Sequence, residues 1–162
     1  CGAALEFSSR HENNNLILRI GNKDKYVHGV NTYVIGYRLK NVINFQDQDE
    51  FYWDVNGDQW SQTFEQVTAR LHVEGELVGL LTADQSCFSG RYGVNNQSGC
   101  SIERGGGVAD VVISAKTLES LSGGQTLTRV VGFNKGSFVV GPESRRGRGG
   151  RVGGRCHLRR RP

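Results

Sequence analysis

Apolar and polar residues alternate with a period of two along much of this chain, the pattern of half-buried β-strands. Residues 32–40 place Tyr33, Ile35 and Tyr37 on one face, and residues 67–73 repeat the alternation. Short runs rich in apolar and β-branched residues predict further strands at 16–20, 108–113 and 127–133.

Turn residues separate these runs. Asn56-Gly57 favours a tight hairpin turn within residues 49–60, while Glu74-Gly75 and Asn134-Lys135-Gly136 predict looser turns. Only residues 115–121 have the composition for one or two helical turns. Several short strands with antiparallel turns predict an all-β fold, an antiparallel β-sandwich of immunoglobulin-like or related type.

The chain divides by composition into a body and a basic tail. We assign residues 1–142 to the β-sandwich domain and residues 143–162 to a disordered Arg/Gly-rich tail, because the tail has no periodicity and little to bury. The tail carries eight arginines, so residues 1–143 hold the remaining 12 basic and all 16 acidic residues, a charge of −4. The body therefore has no excess of positive charge for nucleic acid.

The tail allows three interpretations. It is a non-native terminus, a polybasic segment that binds a surface near a membrane, or a segment that binds single-stranded nucleic acid through phosphate contacts. Nucleic-acid binding is disfavoured, because no Phe or Tyr is interleaved with the arginines to stack on bases, and the non-native terminus is the favoured interpretation.

The first residue is Cys1 and the chain lacks methionine, which suggests a processed product or a fragment. Cys1-Gly2-Ala3-Ala4 leaves open a lipidated start. Cys87 and Cys100 bracket a loop rich in Gly, Ser and Asn, which a disulfide would stabilise by about 3 kcal/mol. The alternative is two separate buried thiols in a reducing compartment.

Several blocks, in order and spacing, resemble one family. They are Arg19-Ile20-Gly21-Asn22, residues 31–39, residues 49–60, Cys87 with Cys100, residues 123–128 and residues 132–138. In these blocks the chain resembles the domain of unknown function DUF family 2207, found in predicted bacterial membrane proteins. The resemblance implies an extracytoplasmic β domain, normally preceded by a signal sequence and followed by membrane spans, and it supplies no catalytic residues.

The chain departs from the family at both ends. The strands that usually precede Arg19 are mostly missing, so one edge of the sandwich is expected to be incomplete. The Arg/Gly tail stands where a membrane span is expected, so membrane attachment would use segments absent from this chain.

Residues 49–60 hold four aromatic and four acidic residues. Glu50 and Asp54 share a face of the predicted strand but lie about 13 Å apart, too far for a glycosidase pair. We therefore expect no enzyme and no cofactor. Asp54, Asn56, Asp58 and Glu65 match positions 1, 3, 5 and 12 of an EF-hand loop, but the glycine is misplaced and the flanks are strands, which leaves a weak calcium candidate.

Phe51, Trp53 and Val55 are expected to face the core, with Tyr52 on the opposite face. The candidate ligand-binding residues are Tyr52, Asp54, Asp58 and Trp60.

The expected function is a non-enzymatic extracytoplasmic binding or assembly domain of a membrane-anchored bacterial envelope protein. Its partner would be an envelope protein or a glycan, with no specific nucleic acid. One alternative is a secreted carbohydrate-active or calcium-dependent sugar-binding domain. A second is an RNA-associated protein that acts through the tail.

Overall fold

A computed structural model describes residues 7–12, 15–139 and 157–161. The chain forms two compact units, Cys1–Asn41 with Val140–Pro162, and Val42–Val139. The described elements are β1 (Phe7–Glu12), β2 (Asn15–Ile20), β3 (Thr32–Gly36), β4 (Ile43–Phe45), β5 (Asp49–Asp54), β6 (Thr68–Glu74), the 3-10 helix η1 (Gly75–Leu80), β7 (Leu81–Arg91), β8 (Cys100–Gly106), β9 (Asp110–Thr117), β10 (Gln125–Phe133) and β11 (His157–Arg161).

The first unit contains two separate strand pairs. β1 and β2 pair antiparallel, and β3 pairs antiparallel with β11. β3 ends at Gly36, so the predicted strand 32–40 is shorter than its alternation suggested. Residues 143–156 and 162 of the predicted disordered tail lie outside the described residues, while His157–Arg161 forms β11.

The second unit consists of two antiparallel sheets. One has the strand order β4-β5-β10-β7 and the other β6-β9-β8. The alternating pattern of residues 67–73 becomes β6, and the run 108–113 becomes the start of β9. The prediction of an all-β antiparallel fold is confirmed.

The two sheets bury one face each against the other. Alternate residues of β10 and β9 point inward, including Leu127, Val131, Ile113 and Ala115, all of them fully buried. Most residues of β10 are buried, because this strand is flanked by β5 and β7. The core therefore lies between the sheets, with β10 at the centre of the larger one.

The predicted disulfide is confirmed. Cys87 on β7 is bonded to Cys100 on β8, and their Cα atoms lie 6.2 Å apart. Because β7 and β8 belong to different sheets, this bond ties the two layers together. Both cysteines are buried in the core beside Leu127.

The prediction of a hairpin at residues 49–60 is wrong. β5 pairs with β4 and with the distant β10, and no described strand follows β5 across Asn56-Gly57. Gly57 has a positive φ of 69°, but Asn56 does not, as a type I′ turn would require. The local turn signal was overridden by pairing with β10.

The predicted helical turns at 115–121 are also wrong. β9 continues through Thr117, and Ala115 and Thr117 alternate into the core. Leu121 then forms an isolated bridge with Phe64. Burial between the sheets outweighs the helix propensity of one alanine. Helix η1 instead begins at Gly75, where the sequence predicted a loose turn.

Candidate functional site

β5 presents two different faces, as its alternation predicts. Phe51 packs against the core cluster around Val131, and its ring stacks with that of Trp53 at a centroid distance of 6.4 Å. Tyr52 lies on the opposite face and is 43% exposed. The prediction that Phe51 and Trp53 face inward and Tyr52 outward is consistent with this burial.

Asp49 is the most buried acidic side chain among the described residues, at 1% exposure. Its Oδ2 atom accepts a hydrogen bond from the backbone N–H of Phe138 at 3.0 Å. This bond offsets part of the cost of burying the carboxylate. Asp49 therefore fixes the segment after β10 and is not available as a surface ligand.

Asn56 acts as an extension of β5. Its Nδ2 donates to the carbonyl of Gln125 at 3.0 Å, and its Oδ1 accepts the N–H of Leu127 at 2.9 Å. The hydroxyl of Thr126 also donates to this Oδ1. The side chain thus supplies β10 with the donor and acceptor that another strand residue would offer.

The outward side of the larger sheet carries a mixed aromatic and polar surface, which we call the outer patch and define as Tyr52, Asp54, Phe88, Thr128 and Val130. Cross-strand neighbours in an antiparallel sheet share a face. Val130 lies opposite Tyr52, and Thr128 lies between Asp54 and Phe88. The hydroxyl of Thr128 donates to Oδ1 of Asp54 at 2.5 Å. The patch therefore combines two partly exposed rings with a hydrogen-bonded carboxylate.

Tyr52 titrates differently from a free tyrosine. Burial and the neighbouring carboxylate of Asp54 raise the pKa of Tyr52 above its ordinary value of 10.0, while a hydrogen bond with Thr128 lowers it. Tyr92 contributes a further small increase. The phenol therefore stays neutral at physiological pH and acts as a hydrogen-bonding group.

The other two predicted ligand residues lie in the loop after β5. Asp58 is exposed, and its Oδ1 accepts a hydrogen bond from the side chain of Gln59. Trp60 is 48% exposed, but its Nε1 donates to the carbonyl of Asn56 at 2.6 Å. The ring edge of Trp60 also meets Phe64. Trp60 is therefore anchored to the protein, and only Tyr52 and Asp54 share the outer patch.

The residues of the calcium candidate do not form one coordination site. Asp54 is bonded to Thr128, and both polar atoms of the Asn56 amide are used by β10. Within the described ranges, no group of three or more His, Cys, Asp or Glu side chains lies close enough together to hold a metal ion.

Two features were missed by the sequence argument. Phe88 and Thr128 complete the outer patch, and only the pairing of β7 with β10 brings them to Asp54. Arg129 is 6% exposed and its guanidinium lies 5.1 Å from the ring centroid of Phe51. Arg129 lies two positions from Leu127 and two from Val131, and residues two apart on a strand share a face. This spacing was the sequence signal that Arg129 points inward.

Comparison of the chain with known protein families identifies one family that matches it. Neither the curated proteins nor the solved structures contain a match to this chain. In the part of the chain that the structure describes, no helix is long and apolar enough to cross a membrane. The family model described as predicted membrane protein (DUF2207) N-terminal domain matches residues 5–132. The chain, with its disulfide-linked antiparallel sheets, therefore belongs to the DUF2207 family of predicted membrane protein N-terminal domains.

Proposed function

We propose that this chain is a non-enzymatic, extracytoplasmic binding or assembly domain of a membrane-anchored bacterial envelope protein. The observation that carries the proposal is the bond between Cys87 and Cys100. Disulfides persist in oxidising compartments and are rare in the cytosol. Membership of a family of predicted membrane proteins supports a position beside the bilayer.

The outer patch is the surface that we propose for contact with an envelope partner. Tyr52 is exposed and Phe88 is partly exposed, and the exposed carboxylate of Asp54 is held beside them by the buried hydroxyl of Thr128. Aromatic side chains with polar neighbours are typical of protein and glycan contacts. Tyr92, 88% exposed and close enough to influence Tyr52, adds a further ring at the edge of the patch.

The location is tested in cells that express the full-length membrane protein. Free thiols are blocked during lysis. The protein is then treated with a maleimide-linked polymer, with and without prior reduction, and the decrease in its electrophoretic mobility is compared. We expect Cys87 and Cys100 to react only after reduction, and the domain to be digested by protease added to intact spheroplasts. Reduced cysteines together with protection from external protease would exclude an extracytoplasmic position.

The contact surface is tested separately, by placing a photocrosslinking residue at Tyr52 in the full-length protein. The control places the same residue at Arg104, an exposed position on β8 of the other sheet. We expect adducts with an envelope component from position 52 only. Equal adducts from both positions, or none from either, would exclude the outer patch as the contact surface while leaving the location intact.

A further inference from the structure

A cavity of about 260 Å³ lies at the end of the sandwich where β7 ends and where β8 and β10 begin. It is separate from the outer patch, since its walls come from Ser89 and Arg91 of β7, the loop between the two cysteines, and residues 119–121. Sites for drug-sized ligands usually measure about 300–1,000 Å³. The volume of this cavity therefore suits a molecule smaller than a typical drug.

The walls of the cavity are held in place by covalent and backbone bonds. The N–H of Ser89 donates to the carbonyl of Asn96 at 2.9 Å, and the N–H of Leu118 donates to the carbonyl of Gly99 at 3.0 Å. The disulfide joins Cys87 and Cys100, which lie within two positions of the wall residues Ser89 and Gly99. The cavity is therefore largely formed before any ligand arrives, which lowers the entropic cost of binding.

The floor of the cavity combines an apolar and a polar group. Leu121 and Ser89 are 4% and 6% exposed, and both line the cavity. A side chain at Gly99 would collide with the hydroxyl of Ser89, so the absence of a Cβ there leaves room for this group. Among the described residues, none forms a side-chain hydrogen bond with the Ser89 hydroxyl. It is therefore available to a ligand.

Opposite charges line the same cavity. Arg91 and Glu119 are both exposed residues of its wall. Within the described ranges neither forms an ion pair, whether with the other or with a third residue. A guanidinium binds a carboxylate, and a carboxylate binds an ammonium group, through charge-assisted hydrogen bonds. The two charges are thus suited to the two ends of one small dipolar molecule.

We propose that this cavity binds a small zwitterion with a free amino and a free carboxylate group, of the size of an amino acid or a dipeptide. Its carboxylate would pair with Arg91 and its ammonium group with Glu119. The Ser89 hydroxyl would bond to a polar atom between them, and Leu121 with Val94 would contact the apolar part. The proposal does not depend on the outer patch or on the cellular location.

The first experiment titrates the whole 162-residue chain with alanine and with alanylalanine, followed by backbone amide chemical shifts. We expect saturable shifts for residues 89–99 and 119–121 with at least one probe, and the stronger binder identifies the ligand size. N-acetylation or C-terminal amidation of that probe removes one charge and should weaken binding at least about tenfold. Absence of saturable shifts from both probes at millimolar concentration would overturn the proposal.

The second experiment uses charge-neutralising variants with matched controls. Glu119→Gln and Arg91→Gln should each weaken binding about tenfold, whereas Glu103→Gln and Arg104→Gln at exposed positions of β8 should not. Acetylation of the probe should cause little further loss of affinity for the Glu119→Gln variant, because this variant lacks the carboxylate that pairs with the ammonium group. If acetylation weakens binding to this variant as much as to the native chain, the assigned orientation is wrong. Equal losses in all four variants would show that the site is not this cavity.

Discussion

At the scale of single residues, Asn56 has a role that its place beside a glycine does not reveal. The sequence suggested a turn residue with a positive φ, yet its amide is bonded to the backbone of β10 at Gln125 and Leu127. The sequence could predict a polar residue at the end of β5. It could not predict this use, because the partner strand begins about seventy residues later in the chain.

Replacement of Asn56 by alanine should destabilise the fold. Two half-buried backbone groups lose their partner, so we expect the free energy of unfolding to fall by about 2–3 kcal/mol. Chemical denaturation measures this loss. Asn56→Asp keeps an acceptor for the N–H of Leu127 but loses the donor to Gln125. Its free energy of unfolding should lie between those of the native chain and the alanine variant. Equal stability of all three chains would contradict the bridging role.

Tyr52 should make the fold sensitive to alkaline pH. Burial and the carboxylate of Asp54 raise its folded pKa above the unfolded value of 10.0, so the folded state holds the phenolic proton more tightly. The resulting stabilisation is present below pH 10 and is lost as the pH rises through the folded pKa.

The measurement compares unfolding free energies between pH 9 and pH 11 (about one unit on either side of the ordinary pKa of tyrosine). Tyr52→Phe should show a shallower loss of stability than the native chain, because it has no proton to lose. Tyr26→Phe is the matched control, since Tyr26 is 87% exposed. If the unfolding free energy of both variants depends on pH as that of the native chain does, ionisation of Tyr52 is not coupled to folding.

At the scale of elements, the turn between β8 and β9 depends on one of its three glycines. Gly106 has a φ of 101°, and an added Cβ would collide with the carbonyl oxygen of Asp110. Gly107 has no atom within 4 Å of such a Cβ, and its N–H donates to the same carbonyl at 2.8 Å. The glycine run is therefore a hairpin turn, in agreement with the strand-like sequence that follows it.

Gly106→Ala should lower stability by about 1–3 kcal/mol, because both the backbone conformation and the space oppose a side chain. The adjacent Gly107→Ala is the control and should have a smaller effect. Thermal unfolding of the two variants separates them. A Gly107→Ala variant that is the less stable of the two would contradict the geometry of this turn.

Strand positions were easier to predict than strand partners. The period of two located β6, and runs of apolar and β-branched residues located most of β10 and the first half of β9. The partner of β5 was assigned wrongly, because Asn56-Gly57 carries a strong local hairpin signal and the long-range pairing with β10 leaves none. For the same reason, the sequence predicted only part of the outer patch. Tyr52 and Asp54 lie on β5 and were predicted, whereas Phe88 and Thr128 reach the patch only because β10 pairs with β5 and β7.

At the scale of the whole molecule, the disulfide is the covalent link between the two layers of the sandwich. Because Cys87 and Cys100 are separated by only 13 positions, the closed loop is short. Its reduction should still lower the free energy of unfolding by about 3 kcal/mol. The comparison is a denaturant titration with and without reductant.

The control for that comparison is the double variant Cys87→Ala with Cys100→Ala. Its stability should be unaffected by reductant, although Cys1 and Cys156 remain. A native chain whose stability is unchanged by full reduction would show that packing alone holds the two sheets together.

The pairing of β5 with β10 also sets the order in which this protein can fold. Asp54 and Thr128 are 74 positions apart, so the central strand pair of the larger sheet cannot form until most of the domain has been synthesised. Contacts of such long range slow folding, because a large loop must close before they contribute any stability. A nascent chain of this kind stays open for longer than one built from local hairpins. Under the extracytoplasmic position that we propose, this delay would keep the chain unfolded and competent for export until most of the domain has been synthesised.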